Sequence, residues 1–154
     1  GEASLRALAE RCGVADRVRF LGWLDDRASL FRRADICVVP SHHEPLGNVI
    51  LEAWSAGCPV VAAASEGPSW LIESGRTGML VPPSDPEALA NALNAALAAP
   101  EMKKQWAEEG RRRWEREFTV EQVCAHYLSF LSKIEGERIS CSSKRTSRDH
   151  LASI

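Results

Sequence analysis

The 154-residue sequence lacks the features that mark several large classes of protein. It has no run of the roughly 18 apolar residues that a membrane-spanning helix needs. It also has no basic excess, since 19 Lys and Arg stand against 21 Asp and Glu, with a formal net charge of -2. Nucleic-acid binders usually carry a clear positive surplus, so we expect no such partner. Residues 1–4 show neither a basic nor an apolar signal region, and we expect no secretion signal.

Cysteine chemistry, metal binding and serine hydrolysis are also disfavoured. The five cysteines are odd in number and include no Cys-x-x-Cys pair, so we expect reduced thiols in a cytoplasmic protein. The adjacent His42 and His43 have no carboxylate or cysteine at helical ligand spacing, and we expect no metal. No G-x-S-x-G motif follows Ser41, which disfavours a nucleophile-elbow hydrolase.

The apolar pattern predicts an α/β fold. With 45% hydrophobic residues the chain is large enough for one domain with a core. Short apolar runs predict strands at 18–21, 36–39, 60–62 and 79–81. Helical spacing and capping residues predict intervening helices at 5–12, 26–34, 48–56, 68–75 and 85–99. This alternation indicates βαβ units, and therefore a Rossmann-like parallel sheet with flanking helices.

A helical carboxyl-terminal extension is predicted after residue 100. Trp106, Gly110, Trp114 and Phe118 fall on one face, which we expect to pack on the sheet while the charged face is solvated. A membrane-surface helix is the less favoured alternative, and it keeps the inner face of a membrane open as a location. Thr119 opens a last helix with an expected set of core residues, namely Val123, Tyr127, Phe130, Leu131 and Ile134. We predict a domain at 1–135 and a disordered tail at 136–154.

Two glutamates around a glycine form the most informative motif. Glu44 and Glu52 flank Gly47, where a strand and a loop lead into an apolar helix. The free N–H groups of a helix's first turn attract an anion, and glycine lets a diphosphate approach the backbone. Acids beside such a site suit sugar hydroxyls, because a carboxylate accepts from neighbouring OH groups.

Either acid alone has an ordinary explanation. Glu52 could compensate the helix dipole, and Glu44 could be a solvated loop residue. However, Glu52 interrupts an apolar helix, where an acid needs a polar partner. The combination therefore favours a binding site.

The motif blocks resemble those of a known family. Pro40-Ser41, the stretch 44–47, Glu52-Ala53 and the stretch 57–62 occur in the order of the donor-binding signature of GT-B retaining glycosyltransferases, group 1 or family 4. The stretches 17–24 and 78–82 resemble its flanking strands. The resemblance covers roughly residues 1–131 and implies the carboxyl-terminal half of the GT-B fold, incomplete at its start.

The resemblance also implies residue roles. Glu52 would hold the ribose hydroxyls, and Glu44, the expected catalytic residue, would face the transferred sugar. The other expected substrate-binding residues are Ser41, His43, Leu46, Gly47, Asn48 and Val49. The nucleoside diphosphate sugar is a substrate, and no cofactor is expected. The family transfers the sugar with retention of configuration.

Departures from the family leave other functions open. The family's domain opens with two further strands that carry an Arg and Lys pair, and these have no counterpart here. The amino-terminal acceptor domain of the family also has no counterpart, so we expect it to be supplied in cis or in trans. Trp70 replaces a frequent acid, and Asn48 a usual apolar residue. A non-catalytic nucleotide-sugar-binding module, one chain of a split transferase, or an inert fragment are the alternatives.

Overall fold

A computed structural model describes the backbone of residues 1–149 and the side chains of residues 1–134. The described elements, in chain order, are α1 (Glu2–Arg11), a 3-10 turn (Ala15–Arg17), α2 (Arg27–Arg33), β1 (Cys37–Val39), α3 (Asn48–Ser55), β2 (Val60–Ala63), α4 (Glu66–Leu71), β3 (Met79–Val81), α5 (Pro86–Ala98), α6 (Pro100–Glu117) and α7 (Val120–Asp149). The alternation of strand and helix in the middle of the chain confirms the predicted α/β class.

The sheet is parallel, with β2 in the centre of the order β1-β2-β3. Cys37 is in register with Val60, and Val61 is in register with Met79. All four residues of β2 are buried, as expected for a strand covered on both faces. Three of the four predicted strands are therefore confirmed.

The predicted strand at 18–21 is wrong. Val18 has an extended backbone, but no strand pairs with this segment within residues 1–149. Extended apolar residues become a strand only when a neighbour supplies hydrogen bonds. Phe20 instead lies beneath the Arg6 guanidinium, 4.3 Å from the ring centroid, and lines an apolar groove against α1.

Helices cover both faces of the sheet. Val60 and Ala62 point into a cluster with Ile50 and Trp54 of α3, whereas Val61 points into a second cluster with α5 and α6. The alternation along β2 produces this division. α6 packs against both α3 and α5, so its aromatic face docks mainly on the helices that cover the sheet, whereas we predicted docking on the sheet itself.

Two tryptophan side chains, one on α3 and one on α6, form hydrogen bonds with the turn before β3. The Trp54 Nε1 donates to the carbonyl of Thr77 at 3.1 Å, and the Trp106 Nε1 donates to the carbonyl of Gly75 at 3.1 Å. Both rings are almost completely buried. Each buried N–H therefore has the partner that its burial demands.

The helix after β2 starts earlier than predicted. It spans Glu66–Leu71, and Gly75 lies in the later turn with φ +84° rather than at the helix end. Ser65 is the N-cap, and its carbonyl accepts the amide of Ser69 at 2.9 Å. Pro68 fits inside the first turn because that position needs no amide hydrogen.

The last helix differs most from expectation. Its five predicted core residues are exposed, with Tyr127 at 67% and Phe130 at 60%, so the prediction that they supply core is wrong. Helical spacing of apolar residues identifies a face but not its neighbour. The backbone of 136–149 is helical, whereas we expected a disordered tail, and residues 150–154 lie outside the described residues. None of the described helices has the length and apolarity to cross a bilayer.

We expect Gly110→Ala to destabilise the fold by about 1–3 kcal/mol through overpacking. A Cβ at Gly110 would lie 2.5 Å from the Cδ1 and Nε1 atoms of the buried Trp54. In an open helix the same change would gain about 1 kcal/mol. Urea unfolding compares this variant with Gln105→Ala, an exposed site on α6. A Gly110→Ala protein as stable as the wild type would contradict the packing.

Candidate functional site

The candidate residues lie beyond the carboxyl ends of β1 and β2. Residues 40–47 connect β1 to α3, and α4 follows β2 almost directly. Ligands of open parallel sheets bind beyond the carboxyl ends of the strands. The motif is therefore at the edge of the sheet where such a fold places its ligand.

Gly47 is required by both the turn and the packing. It is the N-cap of α3 with φ +77° and is buried. A Cβ there would lie 2.7 Å from the Cδ1 of Leu71 and 3.2 Å from the Cδ1 of Ile50. The motif predicted a role in ligand approach for this glycine, but the chain itself already fills the space around it.

Glu44 binds the start of the same helix. Its half-buried carboxylate accepts the Gly47 amide through Oε1 at 2.9 Å. That amide is therefore occupied, although the resemblance implied that it faces a ligand. The amides of Asn48 and Val49 form no hydrogen bond within the described part of the chain, and both residues are exposed. These two N–H groups remain for an anion.

Glu52 has one paired and one unpaired oxygen. Its Oε1 lies 3.2 Å from the Nη2 of Arg27, while Oε2 is buried and has no hydrogen-bond partner among the described residues. A cavity of about 240 Å³ is lined by both side chains and by Asp25, Asp26 and Ser55. A buried carboxylate oxygen without a donor is costly, and a ligand hydroxyl would satisfy it.

Arg27 is a site residue that the sequence analysis missed. It is the first residue of α2, whose N-cap Asp26 accepts the Ser29 amide at 2.9 Å. The capping signal predicted this helix start, but not that α2 packs against α3. The two glutamates consequently contact different elements: Glu44 lies beside α4, and Glu52 beside α2.

α4 approaches the motif loop through its backbone. The Gly67 amide donates to the Glu44 carbonyl at 2.7 Å. A Cβ at Gly67 would lie 2.6 Å from that oxygen and 2.8 Å from the Gly47 nitrogen. No side chain fits between the two segments, so a second glycine fixes the position of Glu44. No sequence motif had indicated a role for Gly67.

The remaining predicted residues surround this loop. Ser41 is half-buried, and Leu46 is exposed at 68%. His43 is exposed, with Nδ1 3.6 Å from the Oε1 of Glu66 in the first turn of α4. The Glu66 backbone amide holds the pKa of that carboxyl below its ordinary value, and His43 contributes further. Glu66 was also missed.

His42 contacts the segment that follows β3. Its Nδ1 is 2.9 Å from the hydroxyl of Ser84, which follows β3. The described residues contain no group of three or more potential His, Cys, Asp or Glu metal ligands. That no metal takes part stays a prediction.

Asn48 and Trp70, the two residues that depart from the family pattern, occupy positions that the fold explains. Asn48 is the first residue of α3 and is exposed. The Trp70 ring, itself 66% exposed, contacts Phe118 edge to face with 5.9 Å between the ring centroids. It therefore supports the docking of α6 instead of contributing an acid.

Known proteins resemble this chain over most of its length. The chain is 40% identical over 129 residues to the lipopolysaccharide core biosynthesis glycosyltransferase LpsE of Rhizobium meliloti, covering 84% of this chain and 38% of LpsE. Sucrose-phosphate synthase from Thermosynechococcus elongatus has a TM-score of 0.80 at 34% identity, covering 86% of this chain and 34% of the synthase.

A solved structure with bound nucleotide is similar as well. Anabaena Alr3699/HepE in complex with UDP has a TM-score of 0.82 at 31% identity, covering 85% of this chain and 36% of HepE. The same Anabaena protein has been solved with UDP-glucose. The chain thus spans little more than a third of the length of these relatives.

The family model described as glycosyl transferases group 1 matches residues 1–113, which include the strands, α3, α4 and both glutamates. The family and the GT-B fold inferred from the sequence motifs are confirmed by this match and by the GT-B neighbours. Retention of configuration stays a prediction. The chain belongs to the group 1 glycosyltransferase family and has the fold of its carboxyl-terminal GT-B domain.

Proposed function

We propose that this chain binds a UDP-linked hexose as the donor-binding part of a retaining glycosyltransferase. The sugar passes to an acceptor held by a separate amino-terminal domain, in cis or in trans, in the cytoplasm. The choice of UDP rests on the similarity to HepE, which was solved with UDP and UDP-glucose.

The unpaired Oε2 of Glu52 carries the proposal. This atom is buried on an otherwise apolar helix and meets no donor in the part of the chain that the structure describes, while Arg27 lies beside the other oxygen. A ribose hydroxyl supplies the missing O–H donor, and a hydrogen bond to an ionised acceptor is among the stronger kinds. A ribose hydroxyl in the cavity between α2 and α3 would supply this donor once the Glu52 side chain turns Oε2, which the chain buries, toward the cavity.

The start of α3 is suited to the diphosphate. The amides of Asn48 and Val49 have no partner among the described residues, and the helix dipole adds to their attraction for an anion. These groups would stabilise the negative charge on the departing nucleotide. Glu44 would position the sugar through Oε2, because its Oε1 already accepts the Gly47 amide.

A binding module without catalysis, or one chain of a split transferase, is the second candidate. The chain spans 38% of LpsE, and β1 pairs only with β2 within the described residues. A free strand edge can recruit a further strand. The two candidates share the donor site and differ in transfer.

Calorimetric titration with UDP, GDP and ADP tests the donor site. We expect UDP to bind and the other two to bind more weakly. Absence of binding by all three nucleotides would contradict both candidates and favour an inert fragment.

We expect Glu52→Gln to weaken UDP binding by about 1.5–3 kcal/mol, because an amide oxygen accepts less strongly than a carboxylate and glutamine offers only one acceptor oxygen for both Arg27 and the ribose. Calorimetry measures the affinity, and circular dichroism checks folding. Glu87→Gln is the matched control, because this exposed acid lies in the first turn of α5. Unchanged UDP affinity in a folded Glu52→Gln protein would contradict the ribose assignment.

We expect Glu44→Gln to leave UDP affinity unchanged within about twofold and to weaken UDP-glucose binding by about 1 kcal/mol or more. The glutamine oxygen can still accept the Gly47 amide, so the helix start is preserved. Comparing the affinities of the wild-type and variant proteins for UDP and for UDP-glucose isolates the contribution of the sugar to binding. An equal loss for UDP alone would show that Glu44 serves the nucleotide.

We expect the 154 residues alone to transfer no sugar, and to depend for transfer on a partner with the acceptor domain. The described donor site contains no residue assigned to an acceptor. Purified chain is assayed with labelled UDP-glucose and cell-derived acceptors, with and without an amino-terminal GT-B half from a relative. Efficient transfer by the monomeric chain would refute the dependence.

A further inference from the structure

We propose that Glu66 is a specificity-determining residue that disfavours donor sugars with a negative charge and favours neutral or cationic ones. The inference rests on the proposed function, because it places Glu66 beside the sugar that Glu44 positions. It concerns a side chain that the glutamate motif does not include.

The position of Glu66 follows from backbone contacts. Gly67, its neighbour, donates to the Glu44 carbonyl at 2.7 Å and leaves no room for a side chain against the loop. The Glu66 carboxylate lies near His43 on the same loop, with Oε1 3.6 Å from Nδ1. The acid therefore lies next to the loop that carries Glu44.

The carboxylate is available to a ligand. Its side chain is 66% exposed and that of His43 is 86% exposed. An exposed pair of this kind is weak, so His43 does not withdraw the charge from solvent or from a substrate. The Glu66 amide and His43 lower the pKa of the carboxyl, and it therefore stays ionised at neutral pH.

Two acids near one sugar produce selectivity by charge. Glu66 lies at the start of α4, whose next residue, Gly67, contacts the loop that carries Glu44. A carboxylate on the sugar would be repelled once the ligand displaces water, because like charges interact more strongly as the local dielectric falls. Sugar hydroxyls and ammonium groups would instead donate to these acids. The repulsion between these carboxylates and an anionic sugar would make binding of such a donor weaker, and specificity often depends on a repulsive interaction of this kind.

Compensation of the helix dipole is the ordinary role for an acid in a first turn. That role predicts a small change in stability when the charge is removed, and no change in preference among donors. Only a specificity role predicts that donors with different sugar charges respond differently.

The test measures the affinities of the full chain for UDP, UDP-glucuronate and UDP-glucosamine by calorimetry. The variants are Glu66→Gln, Glu66→Asp and the control Glu87→Gln. We expect the ratio of the UDP-glucuronate to the UDP-glucosamine dissociation constant to fall at least threefold in Glu66→Gln. Glu66→Asp and Glu87→Gln should retain the wild-type ratio, and all four proteins should bind UDP equally within twofold.

Three results would overturn the inference in distinguishable ways. A ratio that changes less than threefold in Glu66→Gln, with UDP binding intact, contradicts the specificity role alone. Wild-type protein that binds no UDP contradicts the proposed function and removes the inference with it. A uniform loss of all three ligands in Glu66→Gln would make the residue structural.

Discussion

The close backbone contact between Gly67 and the 44–47 loop is the constraint on which the site depends. The amide of Gly67 reaches the Glu44 carbonyl, and an added Cβ would overlap three backbone atoms of the loop. α4 can approach this closely only because residue 67 has no side chain. The contact fixes Glu44, brings Glu66 next to it, and leaves Gly47 enclosed by Leu71 and Ile50.

The same region shows how an acid is accommodated beside a buried helix. Glu52 lies on α3, whose Ile50, Ala53 and Trp54 are fully buried. Arg27 compensates one carboxylate oxygen, which keeps the charge tolerable before a ligand arrives. The other oxygen has no donor from residues 1–134, whose side chains the structure describes. A carboxylate with a partner for only one of its two oxygens calls for a further hydrogen-bond donor, and a ribose hydroxyl is the donor that we propose.

Helix starts and ends could be predicted from the sequence where they depend on a single segment. Asp85 with Pro86 predicted the start of α5, and Gly57 predicted the end of α3, because capping involves residues close in sequence. The segment 18–21 and the apolar face of α7 were assigned wrongly, since a strand needs a hydrogen-bonding neighbour and an apolar face needs a surface to cover it. Neither neighbour can be identified from the segment itself.

The amino-acid order alone indicated the fold class, the family and the two glutamates, because these rest on periodicity and on motif blocks that follow one another along the chain. The folded arrangement was needed to pair Arg27 with Glu52 and to bring Glu66 to Glu44. Arg27 is 25 positions from its partner, and such contacts depend on how α2 packs against α3. Packing between distant segments leaves no periodic signal in a single sequence, and it therefore emerges only when the helices are placed on the sheet.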